Sequence, residues 1–400
     1  MKRGIQIVVA GGLLLAVFAI AGVALLLWIT RPPEPDAFAD PPSALPQTPG
    51  SLIRTEPFTR GVPAGARGWR LLYSSTGLDG APVAVTATVV VPAEPREEPL
   101  PVIAYAHGTY GVATGCAPSL AERPFAEITN LDDVVRRGWA LVATDYPGLG
   151  TPGQHPYLVG DSAARAVVDS VRAARAAELG VELQPRMVVW GISQGGHAAL
   201  FTGRLAPELA PELELVGVAA LEPPTAMAEL LQAGQSRLAG TVLTAEAVYA
   251  WSRIYPELSF EEAIRDRSEA AARALARRCL PGPSAYVALT QAAALRGRLL
   301  AIDLARDSRW RRRLDENTPA GGIAAPLLIA QGGKDTIVLP AITRAFVAAR
   351  CADGDPVTYR EYGEATHLNL MAFADDDVAS WTADRFAGTP ATSNCPSSSP

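Results

Sequence analysis

Apolar and polar positions divide the chain into stretches of different rhythm. Short apolar runs recur at RLLYSS (70–75), VAVTATVVV (83–91), VIAYAH (102–107), ALVATD (140–145), MVVW (187–190) and LVGVAAL (215–221). The rhythm returns with PLLIAQ (326–331) and VTYREY (357–362). VAVTATVVV alternates Val with Thr, as in a half-exposed antiparallel strand, whereas the runs from VIAYAH onward are mostly continuous, as in parallel strands covered on both faces. Helical periodicity over 161–179, 196–206, 340–349 and 375–386 separates most of the later runs. Strands alternating with helices define an α/β architecture, here a mostly parallel sheet of eight strands.

Residues 225–318 break this pattern, with helical segments rich in Ala, Leu and Arg and no convincing strand. The interval opens just after a strand that ends in LEPP, so it reads as a helical cap inserted over the carboxyl ends of the strands, where such sheets bind ligands. The core is thus expected over 51–224 and 319–390, with the cap between.

Both ends of the chain look different from this body. The run at 5–30 carries no charge and is long enough to span a bilayer, where about 20 apolar residues suffice. A signal peptide's apolar core is shorter, so residues 1–30 are expected to be an uncleaved signal-anchor, making the membrane a partner through an N-terminal helix. Cleavage after Ala39, in the small-x-small sequence Ala37-Phe38-Ala39, is the alternative and would release a secreted protein. Lys2 and Arg3 before the run, against Arg31 alone after it, favour an external location for the rest of the chain. Residues 31–50 are Pro-rich and read as an extended linker. Residues 391–400 form a low-complexity tail, expected to be ordered only where Cys395 ties it down.

With 48% hydrophobic residues among 400, the chain has ample material for a large core. The net charge of −6 is dispersed and no basic patch interleaves with aromatics, which argues against nucleic acid as a partner. Four cysteines, Cys116, Cys279, Cys351 and Cys395, in an exported chain point to two disulfides, with three pairings open. Their spacing suits no zinc site.

Candidate chemistry centres on VVWGISQGGHAAL (188–200). A strand, the tight turn Gly191-Ile192-Ser193-Gln194-Gly195 and the start of a helix follow one another in the order a nucleophile elbow requires. Small flanking residues permit a sharp turn that lifts the serine hydroxyl to the end of the sheet. Ser193 needs a base, and the chain has four histidines. His197 lies four residues along the helix and points away from the reaction face, which suits packing or capping. His107 ends VIAYAH and His155 sits in GQHPY, while His367, in YGEATHLNL, follows the last strand-like run, where a base is placed in this order. The acid should precede it, after the neighbouring parallel strand: QGGKDTIVLP supplies Asp335, whose alternative role is to cap the helix from Pro340 onward. Asp145 and Glu222 compete but both precede the cap. Oxyanion donors are expected from the backbone of Gln194 and from HGTYG, at Gly108 or Thr109.

Together, AYAHGTYGVATGCAPS, ATDYPGLGTPG, WGISQGGHAAL, QGGKDTIVLP and ATHLNL resemble the secretory lipase family of α/β-hydrolases, over residues 36–395. The resemblance implies a Ser193-Asp335-His367 triad, a helical lid, and hydrolysis of lipid-like esters through an acyl-enzyme with no metal or cofactor. It also implies disulfides Cys116–Cys279 and Cys351–Cys395. The anchor is a departure from a family named for freely secreted enzymes. Two other functions fit the sequence: an acyltransferase using the same triad, and a non-catalytic, membrane-tethered lipid-binding protein. A peptidase is a weaker third, since no acidic pair for anchoring an amine stands out.

Overall fold

The computed structural model describes residues 21–22, 29–280 and 282–395. The expected anchor over residues 1–30 lies mainly outside these. Among the described residues no helix is long and apolar enough to cross a membrane.

Among the described residues the sheet has nine strands rather than eight, in the order β1-β2-β3-β5-β4-β6-β7-β8-β9. They are β1 (Leu52–Pro57), β2 (Ala66–Thr76), β3 (Pro82–Pro92), β4 (Leu100–Ala106), β5 (Ala140–Thr144), β6 (Leu183–Ile192), β7 (Glu214–Leu221), β8 (Leu327–Gly332) and β9 (Val357–Tyr362). The first three pair antiparallel, β3 joins β5 antiparallel, and every pair from β5 to β9 is parallel. The strand missing from the sequence reading is β1, LIRTEP. Its residues are only half-buried, and the charges of Arg54 and Glu56 mask its alternation. Glu56 faces Arg70 on β2 and accepts a hydrogen bond from its Nε at 3.1 Å.

The continuous apolar character of the parallel strands follows from two separate cores. Val102 and Ala104 of β4, Met187 and Val189 of β6, and Leu327 and Ile329 of β8 pack on one face with α2 (Gly160–Ala176) and α3 (Gln194–Leu209). The intervening Ile103, Tyr105, Val188, Trp190 and Leu328 pack on the other with α1 (Leu131–Arg136) and α10 (Met371–Phe386). The half-exposed reading of β3 is corrected: Val83 is the only partly exposed residue of its VAVTATVVV run. Its Thr86 is buried because the hydroxyl donates to Asp145 Oδ2 at 2.7 Å, so the polar positions serve an internal bond rather than solvent.

Between β7 and β8 the chain forms α4 (Leu238–Ile254), α5 (Phe260–Ala263), α6 (Glu269–Ala276), α7 (Pro283–Leu295) and α8 (Ser308–Glu316). These helices share a core centred on Trp251 and Trp310, whose rings stack at 6.2 Å. Hydrogen bonds and a disulfide hold the insertion to the body. Trp251 Nε1 donates to Tyr157 O at 2.7 Å, Gly160 N donates to Asn317 Oδ1 at 3.0 Å, and Cys116 is disulfide-bonded to Cys279.

Both flanking segments are more ordered than their composition suggests. Phe38 and Ala39 are buried, and the Arg70 guanidinium lies 4.2 Å from the Phe38 ring while bonding Asp36 at 2.8 Å. The Pro-rich stretch therefore packs along the body instead of standing free. At the other end, Asn394 bonds Val357 O and the backbone of Tyr359, and Cys351–Cys395 fixes the tail across the edge strand β9. Covering that edge removes a template for intermolecular pairing.

Candidate active site

The turn after β6 carries backbone geometry that few sequences tolerate. Ser193 has φ 53° and ψ −119°, a sparsely populated conformation that costs on the order of 1–3 kcal/mol and persists only where its surroundings enforce it. Here they do so by close packing: a Cβ on Gly191 would lie 1.9 Å from Gly195 O, and one on Gly195 would lie 1.8 Å from Ala106 O. Glycine is thus demanded at both flanks. Ser193 N donates to Leu221 O at 2.8 Å, locking the turn onto the end of β7.

His367 lies in the loop between β9 and α10, and its side chain is 10% exposed. Ser193 Oγ lies 2.9 Å from His367 Nε2, and His367 Nδ1 lies 2.7 Å from Asp335 Oδ2. Asp335 is buried in the turn after β8, where Gln331 Nε2 donates to its Oδ2 at 3.1 Å. Its Oδ1 accepts from the Ile337 and Val338 amides at 2.7 and 3.0 Å. The carboxylate therefore fixes its own turn and caps nothing at Pro340, where the helix α9 (Pro340–Ala352) begins without a side-chain cap. Burial alone would lower the His367 pKa, but the Asp335 hydrogen bond and the charges of Asp335, Glu222 and Glu127 outweigh it and hold the imidazole above its ordinary value.

The other three histidines are buried among structural partners. Burial pushes His107 and His197 down to about 4 and His155 to about 3, which keeps them neutral. His107 Nδ1 bonds Gly108 O at 2.6 Å, His197 Nε2 bonds Asn317 O at 2.7 Å, and His155 Nδ1 bonds Pro147 O at 3.0 Å. His155 Nε2 also lies 3.1 Å from Gln194 Nε2. The Asp145 carboxylate accepts from Thr86 Oγ1 and Ser119 N, and its backbone oxygen lies 3.2 Å from His107 Nε2.

The structure separates the candidate oxyanion donors. Gly108 N donates to Glu127 Oε2 at 2.9 Å and is therefore engaged. Among the described residues the amides of Thr109 and Gln194 have no acceptor; Thr109 lines the same cavity as Ser193, and Gln194 follows the serine directly. Glu127 was invisible to sequence reasoning, because nothing in PFAEITN marks it. Glu222 was weighed as a competing acid and set aside, yet its Oε2 lies 3.3 Å from His367 Nδ1.

Ser193 and His367 open onto a cavity of 580 Å³. Val242 and Leu243 of α4, Ala285, Ala288 and Leu289 of α7, and Leu280, Ile337 and Met371 make its walls predominantly apolar. Glu127 is the one carboxylate among the lining residues.

Residues 124–394 match the family profile described as secretory lipase. The chain is 25% identical to lipase A of Arthroderma benhamiae, over 92% of this chain and 82% of that protein. A Mycobacterium tuberculosis protein named as a probable inactive lipase is 26% identical over 93% and 90% of the two chains. Two solved structures share the fold. Candida antarctica lipase A in its closed state has a TM-score of 0.72 at 21% identity, covering 90% of this chain and 87% of that one. The rice cell wall degrading esterase LipA of Xanthomonas oryzae has a TM-score of 0.71 at 21% identity, covering 86% and 100%. An elbow serine on an α/β-hydrolase sheet, a helical insertion above it and a profile match over most of the sequence agree: the chain belongs to the secretory lipase family.

Proposed function

We propose that this protein is an exported serine hydrolase that cleaves carboxylic esters of lipid-like alcohols or acids through an acyl-enzyme. The observation that carries the reading is the unbroken chain Ser193 Oγ, His367, Asp335, with contacts of 2.9 and 2.7 Å, opening onto an apolar cavity. His367 Nε2 takes the serine proton as Oγ attacks the ester carbonyl, and the Thr109 and Gln194 amides receive the developing oxyanion. Asp335 holds the imidazole in the tautomer that leaves Nε2 free to accept, and it stabilises the imidazolium. The same imidazolium then protonates the leaving alcohol, and water enters along the reverse path to release the acid.

Apolar surface around the mouth supports a lipid-like substrate. Leu289 and Leu368 line the cavity while remaining 39% and 89% exposed, and Tyr286 and Phe373 stand beside the lining residues Ala285 and Ala372. The N-terminal segment meets the described body near the start of α7, a helix that also lines the cavity: Arg278 Nη1 bonds Thr30 Oγ1 at 3.1 Å. An uncleaved anchor over residues 1–30 would hold the mouth beside the bilayer. The two disulfides suit an oxidising, extracytoplasmic compartment.

The test is labelling with a fluorophosphonate probe, together with hydrolysis of p-nitrophenyl esters of increasing chain length. Labelling at Ser193 alone, abolished in Ser193→Ala together with turnover, supports the reading. A folded wild-type protein that is neither labelled nor active would place it with the relative named as inactive and defeat the proposal.

A further inference from the structure

Two buried carboxyl groups, not one, face the imidazole. Glu222 follows directly after β7 and Asp335 lies in the turn after β8, and these strands are parallel neighbours, with Leu221 beside Ala330. Glu222 N donates to Ala330 O at 2.8 Å, which fixes the residue at the level of the sheet end. Its backbone has φ 48°, in the left-handed region that non-glycine residues enter at a cost. The side chain is fully buried, and Oε1 accepts from Gly332 N at 3.3 Å. Gly332 also makes the room, since a Cβ there would lie 2.8 Å from that oxygen. Oε2 has no hydrogen-bond partner among the described residues and points at His367 Nδ1 from 3.3 Å, while Asp335 Oδ2 accepts the hydrogen bond of that nitrogen at 2.7 Å.

We propose that Glu222 is a second acid of the same site: a positioning residue that flanks His367 Nδ1 beside Asp335 and takes over as its hydrogen-bond acceptor when Asp335 is removed. The inference rests on the Ser193–His367 reading above. Nδ1 has a single proton, so two acceptors compete for it and the shorter contact holds it in the intact protein. Two carboxylates this close cannot both ionise cheaply in a buried site. Burial pushes the Glu222 carboxyl well above the ordinary range; the His367 charge opposes this and the Asp335 charge reinforces it. Without the Asp335 charge that reinforcement disappears. Glu222 can then ionise against the imidazolium that forms during attack, and the small gap left by Asp335 lets it close the remaining distance.

The experiment compares the wild type with Glu222→Gln, Asp335→Ala and the double variant, all full-length, by kcat on a p-nitrophenyl ester and by thermal unfolding. Glu222→Gln alone should cost up to about tenfold, whereas in the Asp335→Ala background the same change should cost a further hundredfold or so, because groups that substitute for one another are non-additive. Glu222→Asp, one methylene shorter and unable to reach Nδ1, should behave like Gln in that background. A purely structural Glu222 would give the same factor in both backgrounds, tracking the loss of thermal stability, and that result overturns the proposal. Equal activity of Asp335→Ala and the double variant, with wild type active and labelled at Ser193, also overturns it. A wild type without turnover or Ser193 labelling fails the hydrolase reading instead, so the two failures are distinguishable.

Discussion

At the carboxyl end of the sheet each polar group of the proposed triad is held by a specific neighbour, whereas the helical insertion above it faces the cavity almost entirely with apolar side chains. The first region gains its precision from strand ends. Ser193 is pinned to Leu221 O, and Asp335 to its own turn and to Gln331. The second region has a core of its own and joins the body through a few bonds and one disulfide. Its imperfections differ too. Glu246 on α4 is fully buried, and neither carboxyl oxygen has a partner among the described residues. Proton transfer tolerates little displacement, so its groups belong on the rigid sheet, while binding of acyl chains needs shape and can sit on a more loosely joined layer.

Chemistry should be far more sensitive than packing to the loss of one imidazole. His367→Ala is expected to lower kcat by about 10⁴-fold or more, since triad members act as a unit. His197→Ala, compared per folded molecule, should stay within about tenfold, because it removes a bond to Asn317 O and packing against Phe201 rather than a group that touches Ser193. Near-normal turnover in folded His367→Ala would erase the division between the two regions.

Attachment of the insertion comes next. Cys116–Cys279 closes a separation of 163 residues, for which chain entropy suggests about 5 kcal/mol less any strain. Replacing both with Ala should lower the denaturation midpoint by a corresponding amount and loosen the cavity walls, measured by chemical unfolding and by turnover of long-chain esters. Cys351–Cys395, with a separation of 44, is expected to contribute about 4 kcal/mol, and its loop contains His367.

Selectivity should move with the insertion alone. Ala285→Trp on α7 fills part of the cavity and is expected to reduce kcat/KM for long-chain esters by about 10- to 100-fold while acetate esters change far less. An equal loss on both would mean that the residue supports the triad. Removing the unpartnered carboxyl by Glu246→Met should raise stability by about 1–3 kcal/mol, read as a higher unfolding midpoint. A destabilised variant would show that this carboxyl is satisfied in solution.

The smallest expected effect is on pH. His367 must be neutral to accept the serine proton, and its pKa is raised above 6.5, so kcat/KM should fall in acid with a midpoint above that value. The sign follows from the anionic neighbours, which favour the protonated ring. A midpoint below 6.5 would mean that burial outweighs them.

Much of the proposed site was visible in the sequence because backbone crowding restricts composition. Gly191 and Gly195 lie where a Cβ would strike a carbonyl, and that need is written into GISQG. Chain order then brought Asp335 and His367 forward from the competing acids and histidines. Other features left little trace. The half-buried, charged β1 lacks a hydrophobic signature, and the Thr residues of β3 look solvent-facing although Thr86 bonds a buried carboxylate. Gly108 and Thr109 look equally suited to hold an oxyanion.

Local pattern thus determined the parallel sheet, the elbow, the interruption by helices and the residues able to perform proton transfer, because each depends on periodicity or on steric limits within a few positions. Tertiary structure alone decided which amide is free and how many acids face the histidine. Glu127 reaches Gly108 from 19 positions away, and Glu222 meets Asp335 only because β7 and β8 are neighbours. Hydrogen bonding between such distant groups depends on distances of a few tenths of an ångström, which strand pairing fixes and which no run of residues encodes by itself.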